Sequence, residues 1–358
     1  MERRLNPKAH EIAILAEGSF GILESKAAAV LVRYLTDNVV AVIDSTKAGK
    51  DAGEIIGVGT GIPIVGSLAE AMKLNPTMLA VGIAPPGGEL LPKWKSMLRE
   101  AIESGLHIMS GLHWFLSNDP ELAELAARRD VILWDVRKPP ANLPIATCKA
   151  ADVDATVVLT VGSDCRVGKM VVGIELANEA RRRGLNAAFC PTGQNGMMVS
   201  GWGIAVDAVV SDFSAGAAEQ IVIEGAQNHD LLIVEGQGSL VHPGYSGVTL
   251  SLLHGSMPDA MIFCHQPSRK GIARYTVPLP SLGEMIAQYE ILANPVKPAN
   301  VIGIALNCFD LTEKQAREAV ELAERETGLP ATDVIRFGPH KLVDAIVSMQ
   351  NLCAKSSV

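Results

Sequence analysis

The segment VVLTVGSDCRVGKM, residues 157 to 170, passes from a β-branched run through a glycine-bearing turn into a helical pattern. Those residue types in that order suit phosphate binding. Backbone N–H groups at a helix start are unpaired and partly positive, so they gather around an anion, while a lysine ammonium reaches over the outer phosphates. Glycine at 162 and 168 lets the backbone wrap closely without a Cβ in the way. The expected ligand-holding residues are therefore Gly162, Ser163, Asp164, Cys165, Arg166, Val167, Gly168, Lys169 and Met170, with the Lys169 side chain solvated until a ligand binds. The usual GxxxxGK[ST] spacing is not met literally. The first glycine stands one residue early, at 162, and Met170 replaces the hydroxyl residue that holds Mg²⁺ in phosphoryl transfer.

A loop of this kind needs a strand before it and a helix after it, and the surrounding pattern supplies both. Short apolar runs alternate with helical patterns, the mark of parallel sheets with crossover helices. In the first half, strands are predicted at Ile12 to Ala16, Val39 to Ile43, Leu79 to Ile83, His107 to Met109 and Val131 to Trp134. Helices are predicted at Ser25 to Leu35, Lys93 to Ser104 and Pro120 to Arg129, with Asp119 as an N-cap and Gly105 as a stop. In the second half, strands are predicted at Ala155 to Val161, Ala187 to Cys190, Leu231 to Val234, Ala260 to Cys264, Val301 to Leu306 and Val334 to Phe337. A helix from Lys169 to Arg183 is stopped by Gly184. Between the halves, KPPANLPIATCKAADVD is Pro-rich and aperiodic, as a domain connection is. The expected fold is α/β: a Rossmann-like domain over 1–145, then a P-loop NTPase-like three-layer α/β/α domain over 146–358.

Composition narrows the class. Of the 358 residues, 48% are apolar and 20% charged, enough for two cores and too little polarity for long disorder. A formal charge of −8, with seven Phe, four Trp and four Tyr, argues against a nucleic-acid surface, which needs clustered cations and stacking rings. No apolar run reaches the ~18 residues of a membrane span, and MERRLNPKAH is charged where a signal peptide is apolar, so a cytoplasmic protein is expected. Six cysteines without a CxxC pair, and no His at ligand spacing, suggest buried free thiols and no metal.

The stretch GSDxxVGK resembles the GTDxxVGKT loop of dethiobiotin synthetase and related P-loop proteins. HDLLIVEGQGSL is similar to that group's second acidic strand, and VIGIALN to the strand whose last Asn reads adenine. The resemblance implies that Glu235 lies near the phosphates or their metal and that Asn307 contacts the base. The chain as a whole resembles a bacterial and archaeal group first catalogued as a domain of unknown function and named D-glutamate N-acetyltransferase. The residues that carry this are LAEGSFGILESKAA, VAVID, GSDCRVGKM, PTGQNGMMVSGWGIAVDAVVSDFSAGAAE and EGQGSLVHPGYSGVTLSLLHG. The resemblance implies a Rossmann-like half, a P-loop half, and transfer of an acetyl group from acetyl-CoA to the amine of D-glutamate. The loop would then hold the nucleotide end of CoA.

Acetyl transfer needs a base for the amine and donors for the oxyanion. The candidates lie beyond the strands of the P-loop half: His242 as base, with Asp212 and Gln237 beside it, and Asp207 nearby in sequence. Thr192, Gln194 and Asn195 are expected to contact the amino-acid substrate, and the fork of Arg269 to clamp its carboxylate. An ATP-dependent ligase or kinase using Mg²⁺ is the alternative, weakened by Met170; a non-catalytic nucleotide-binding protein is the third reading. The N-terminal half offers weaker signs. GIPIVGSLAEAM, LAVGIAPPGG and EAIESGLHIMSGLHWFL resemble the CoA-binding domain of succinyl-CoA synthetase, and Gly18, Gly21 and Asp44 a degenerate dinucleotide site. A dimer-forming role is equally open there, and a homo-oligomer is the expected state.

Overall fold

Strands made of Val, Ile, Leu and Ala are buried on both faces here, as parallel strands covered by helices must be. The computed structural model describes residues 4–22, 24–83 and 92–356, with side chains to 351. Leu23, the Ala84 to Gly88 part of LAVGIAPPGG and the side chain of Cys353 lie outside the described residues. The chain divides into two units: Met1–Pro140 with Gly193–Ala208, and Ala141–Thr192 with Val209–Val358.

The first unit runs β1 (Ile12–Leu15), α1 (Lys26–Tyr34), β2 (Val39–Ile43), α2 (Ala52–Ile56), β3 (Ile64–Val65), α3 (Leu68–Met72), β4 (Met78–Val81), α4 (Pro92–Glu103), β5 (His107–Ser110), α5 (Pro120–Arg129) and β6 (Leu133–Asp135). Its sheet is parallel with the order β3-β2-β1-β4-β5-β6, a doubly wound Rossmann-like arrangement. Asp119 caps α5 by accepting from the amides of Glu121 and Leu122, with Pro120 at the first position, as expected. The two-residue β3 has too little periodicity to be read from sequence; it is fixed by pairing with Val42 and Ile43.

The second unit runs β7 (Thr156–Gly162), α6 (Lys169–Arg182) and β8 (Ala187–Cys190). The chain then passes through α7 (Gln194–Ser200), which belongs to the first unit. It returns as α8 (Ser211–Ala226), β9 (Leu231–Val234), α9 (Ser246–Ser256), β10 (Ala260–His265), α10 (Leu282–Ala293), β11 (Asn300–Leu306), α11 (Glu313–Thr327), β12 (Ala331–Thr332) and α12 (His340–Ser356). The sheet order is β12-β11-β10-β7-β9-β8, all parallel, so β7 is central and the chain reverses its direction of travel beside it. Gly184, at φ +82, follows the end of α6 as expected.

Val334 to Phe337 is not the strand its composition suggests. It forms a turn in which Oδ1 of buried Asp333 accepts from the amides of Ile335 and Arg336, while Oδ2 accepts from that of Cys308. A local acceptor thus outcompetes a sheet ladder, and the edge strand is Ala331–Thr332 instead.

The Pro-rich connection is packed rather than loose. Gly216 in α8 is pressed so close to the carbonyl of Pro144 that an added Cβ would lie 1.8 Å from the oxygen. Beside it, the buried carboxylate of Glu219 accepts from the amides of Thr147 and Lys149 and from the Thr147 hydroxyl. Glu219→Ala should therefore lower stability by about 1–3 kcal/mol, the cost of donors left without an acceptor. Denaturant unfolding reads this directly, and an unchanged midpoint would mean that the connection is not held by this carboxylate.

Candidate phosphate-binding site

The turn from Gly162 to Lys169 sits at the carboxyl end of central β7, where open α/β sheets take their ligands. Its curvature comes from left-handed backbone at Arg166 (φ +61) and Gly168 (φ +105), the alternation that turns successive amides toward one point. Among the described residues, no backbone acceptor meets the amides of Arg166, Val167 and Gly168. A Cβ on Gly162 would come within 2.6 Å of the Cys264 carbonyl oxygen, which explains the early glycine. That carbonyl also accepts the amide of Ser163.

Lys169 is buried, which corrects the expectation of a solvated side chain. Its Nζ donates to the carbonyls of Asp164 and Gly238, each at 2.7 Å. Burial lowers its pKa, since no aqueous shell supports the charge; nearby acidic groups, Asp164 and Glu235 among them, act in the opposite direction. The Gly238 carbonyl is presented by a tight passage after β9. Gly236 approaches Thr160 so closely that a Cβ would lie 1.7 Å from the Thr160 oxygen, and Gly238 adopts φ +64.

Asp164 is fully buried and holds the loop to its surroundings. One oxygen accepts from the Cys165 amide; the other accepts from the Arg269 guanidinium and the Ala273 amide. Arg269 also donates to the Cys165 carbonyl and to Gln266 Oε1, so its fork closes on the loop. The Cys165 thiol has its pKa raised by burial. Nε2 of His242 stands 4.0 Å from Asp164 Oδ1, and its Nδ1 accepts the Gly244 amide at 3.1 Å. The neutral ring therefore carries its proton on Nε2, facing the loop, and presents no lone pair there. Tyr245 and Tyr275 pack against the imidazole. Asp164, Cys165 and His242 offer three possible metal-ligand atoms within 4.8 Å of one another, with both Asp164 oxygens already engaged.

The other expected residues divide. The Thr192 amide donates to buried Glu235 and the Thr192 hydroxyl to the Glu235 carbonyl; Gln237 donates to that hydroxyl. These three join the strands beside the loop. Asn307 follows β11 and lies 3.9 Å from where a Gly168 Cβ would be. Met170 is half-buried in the first turn of α6. Gln194 and Asn195 open α7 in the first unit, and Asp212 lies exposed in the first turn of α8.

Two buttresses have no sequence signal of comparable strength. The Tyr289 hydroxyl donates to the Gly162 carbonyl at 2.9 Å and accepts from Leu240, with burial pushing its pKa up to about 12. His265, at the end of β10, pairs its Nδ1 with the Ser163 hydroxyl at 2.9 Å. Its only advance sign is its place at a strand end before Arg269.

In the first unit the corresponding loop is closed. Asp44, fully buried at the end of β2, accepts from the amides of Gly18 and Phe20 and from Thr46 and Lys47. Burial alone would raise its pKa, but those hydrogen bonds outweigh it and hold the group at about 2. The amides that would cradle a dinucleotide pyrophosphate at this turn are thus already engaged.

A Rossmann-like unit joined to a P-loop unit of this strand order defines a two-domain α/β class. Residues 144–343 match the DUF1611 P-loop domain and 45–139 the DUF1611 Rossmann-like domain, both described as domains of unknown function, and the chain belongs to the DUF1611 family. It is 39% identical over 287 residues to a D-glutamate N-acetyltransferase of Tritonibacter scottomollicae, covering 79% of this chain and 85% of that one. A Pseudoalteromonas protein of the same name is 38% identical over 291 residues, covering 80% and 84%. A crystal structure of a DUF1611 family protein from Anabaena variabilis superposes with a TM-score of 0.90 at 41% identity, over 95% of this chain and 99% of that one. Among the described residues no helix is long and apolar enough to cross a membrane.

Burial, and then the Arg269 charge, lower the His265 pKa from 6.5 to about 4. The unfolded chain therefore binds this proton first as pH falls, and stability present above about 6.5 is lost progressively toward 4. His265→Gln should flatten the loss of melting temperature between pH 7 and pH 4.5, while keeping a partner for Ser163. Equal slopes for the two proteins would refute a buried neutral imidazole.

Proposed function

We propose that the chain is an N-acetyltransferase that moves the acetyl group of acetyl-CoA to the amine of D-glutamate, its P-loop holding the pyrophosphate of CoA. The names of the two relatives, at similar identity over about four-fifths of the chain, support the reaction class and the substrate. Free amides at Arg166, Val167 and Gly168 and the buried ammonium of Lys169 fit a pyrophosphate. The position of Asn307, after β11 and beside Gly168, supports a contact with the base.

The observation that favours acetyl transfer over phosphoryl transfer is Met170. The thioether replaces the hydroxyl that would coordinate Mg²⁺ beside a γ-phosphate. Acyl transfer has no such need, because charge develops on one carbonyl oxygen that N–H donors can hold. The amine attacks the thioester carbon, the C–N bond forms, the C–S bond breaks, and the CoA thiolate leaves. His242 faces the loop through Nε2–H, so this geometry suits it to donate rather than to act as the base first expected. The amine's proton would then leave to the thiolate or to water.

Purified protein given D-glutamate and acetyl-CoA should release free thiol and N-acetyl-D-glutamate, form no ADP when ATP is added, and tolerate EDTA. Met170→Thr should leave that rate nearly unchanged. ADP formation that EDTA abolishes and Met170→Thr improves would replace this function with an ATP-dependent one.

A further inference from the structure

We propose that the first unit carries an amino-acid subsite at the carboxyl ends of β5 and β6, in which Arg137 takes a carboxylate and the side-chain oxygens of Gln194 and Asn195 take the amine. This rests on the acetyl-transfer reading for the identity of the amino acid, and adds a place for it that is independent of the P-loop.

Three buried polar groups carry the argument. Arg137 stands two residues beyond β6 and is 5% exposed. Its Nη2 donates to Asp207 at 2.9 Å, while its Nε–H is buried with no acceptor. Gln194 Oε1 and Asn195 Oδ1, on consecutive residues of α7, are buried acceptors with no donor. Backbone pairing brings Arg137 and the Gln194 side chain to one end of the sheet, with Asn195 the next residue of α7. Ser110 of β5 pairs with Asp135 of β6, so Gly111 and Arg137 leave the same end of the sheet. The Gln194 side chain rests on Gly111, where a Cβ would come within 2.6 Å of its Oε1. His113, two residues further on, has its pKa lowered by burial first and by Arg137 second, with Asp207 opposing, so it stands near the same ion pair.

Buried polar groups in native proteins are almost always paired, and an orphan asks for a ligand or a water. The set here is specific: one cationic donor lacks an acceptor and two neutral oxygens lack donors. A ligand with a carboxylate and an ammonium on one small skeleton supplies both, as an α-amino acid does. A nucleotide phosphate satisfies only the arginine. The open end of a parallel sheet is also where such sites occur.

The test uses the full chain and two ligands, D-glutamate and glutarate, the latter having the carboxylates without the amine. Arg137→Lys keeps a charge for Asp207 but removes the Nε donor, and Asn195→Leu removes an amine acceptor. Arg137→Lys should weaken both ligands by about tenfold or more in calorimetry. Asn195→Leu should weaken D-glutamate by a similar factor and leave glutarate unchanged. The KM for acetyl-CoA should not move in either variant. Should Arg137→Lys melt early, Asn195→Leu and the glutarate comparison still decide. If both variants fold and bind D-glutamate as the wild type does, the orphan groups are met by internal water only and the subsite is wrong. If the wild type binds D-glutamate with this pattern yet transfers no acetyl group, the reaction assignment fails and the subsite stands.

Discussion

A buried ammonium without a directly bonded carboxylate is the constraint around which the second unit is arranged. Lys169 is held between two carbonyl oxygens, those of Asp164 and Gly238, which share its hydrogen-bonding needs without neutralising its charge. Desolvating such a group costs several kcal/mol, of which dipoles return only part. A phosphate bound at this loop would set an anion beside the ammonium and offset part of that cost. The same arrangement explains the close passage at Gly236, because the chain after β9 must bring the Gly238 carbonyl to the ammonium.

Asp164 and Asp44 show how one residue type gives opposite outcomes at equivalent turns. Asp164 is a buried carboxylate within the loop after β7, and Asp44 a buried carboxylate at the end of β2 beside the loop after β1. Asp44 accepts the amides of its own unit's first loop, folding that loop shut around an anion built into the chain. Asp164 instead accepts from Cys165, Ala273 and the Arg269 guanidinium, which holds the P-loop from its flank, and among the described residues the amides of Arg166 to Gly168 meet no backbone acceptor. Asp44 reaches the Gly18 and Phe20 amides from 26 and 24 residues away, whereas Asp164 lies inside its own loop and meets only the Cys165 amide there, a difference that glycine counting does not register.

This marks what the sequence made legible. The β7 to α6 passage was readable because strand, turn and helix each have a local signature: β-branched residues, Gly162 and Gly168, and the helical run from Lys169. The parallel architecture followed from apolar runs buried on both faces. The partners of the loop were not legible. Tyr289 is 127 residues from Gly162, and its hydroxyl contact is a product of tertiary packing with no local pattern behind it. The burial of Lys169 has no local sign for a similar reason, since Gly238 is 69 residues away. At Val334 to Phe337 the residues favour a strand, but Asp333 offers the amides of Ile335 and Arg336 an acceptor at once.

The segment Gly193–Ala208 carries the remaining lesson. Thr192 and Gln194 stand two residues apart and looked like members of one strand-end cluster. Their partners separate them, Thr192 bonding Glu235 in the second unit and Gln194 resting on Gly111 in the first. Sequence proximity gives contact only where the backbone stays in one core, and here it leaves at Gly193. Under the acetyl-transfer reading the two substrates would be recognised by separate units. Groups that suit a pyrophosphate, with amides, an ammonium and no hydroxyl for a metal, belong to the second unit. A buried guanidinium and two amide oxygens, which suit a small zwitterion, belong to the first. A two-substrate reaction can use that division, because each ligand's recognition can then change without disturbing the other's.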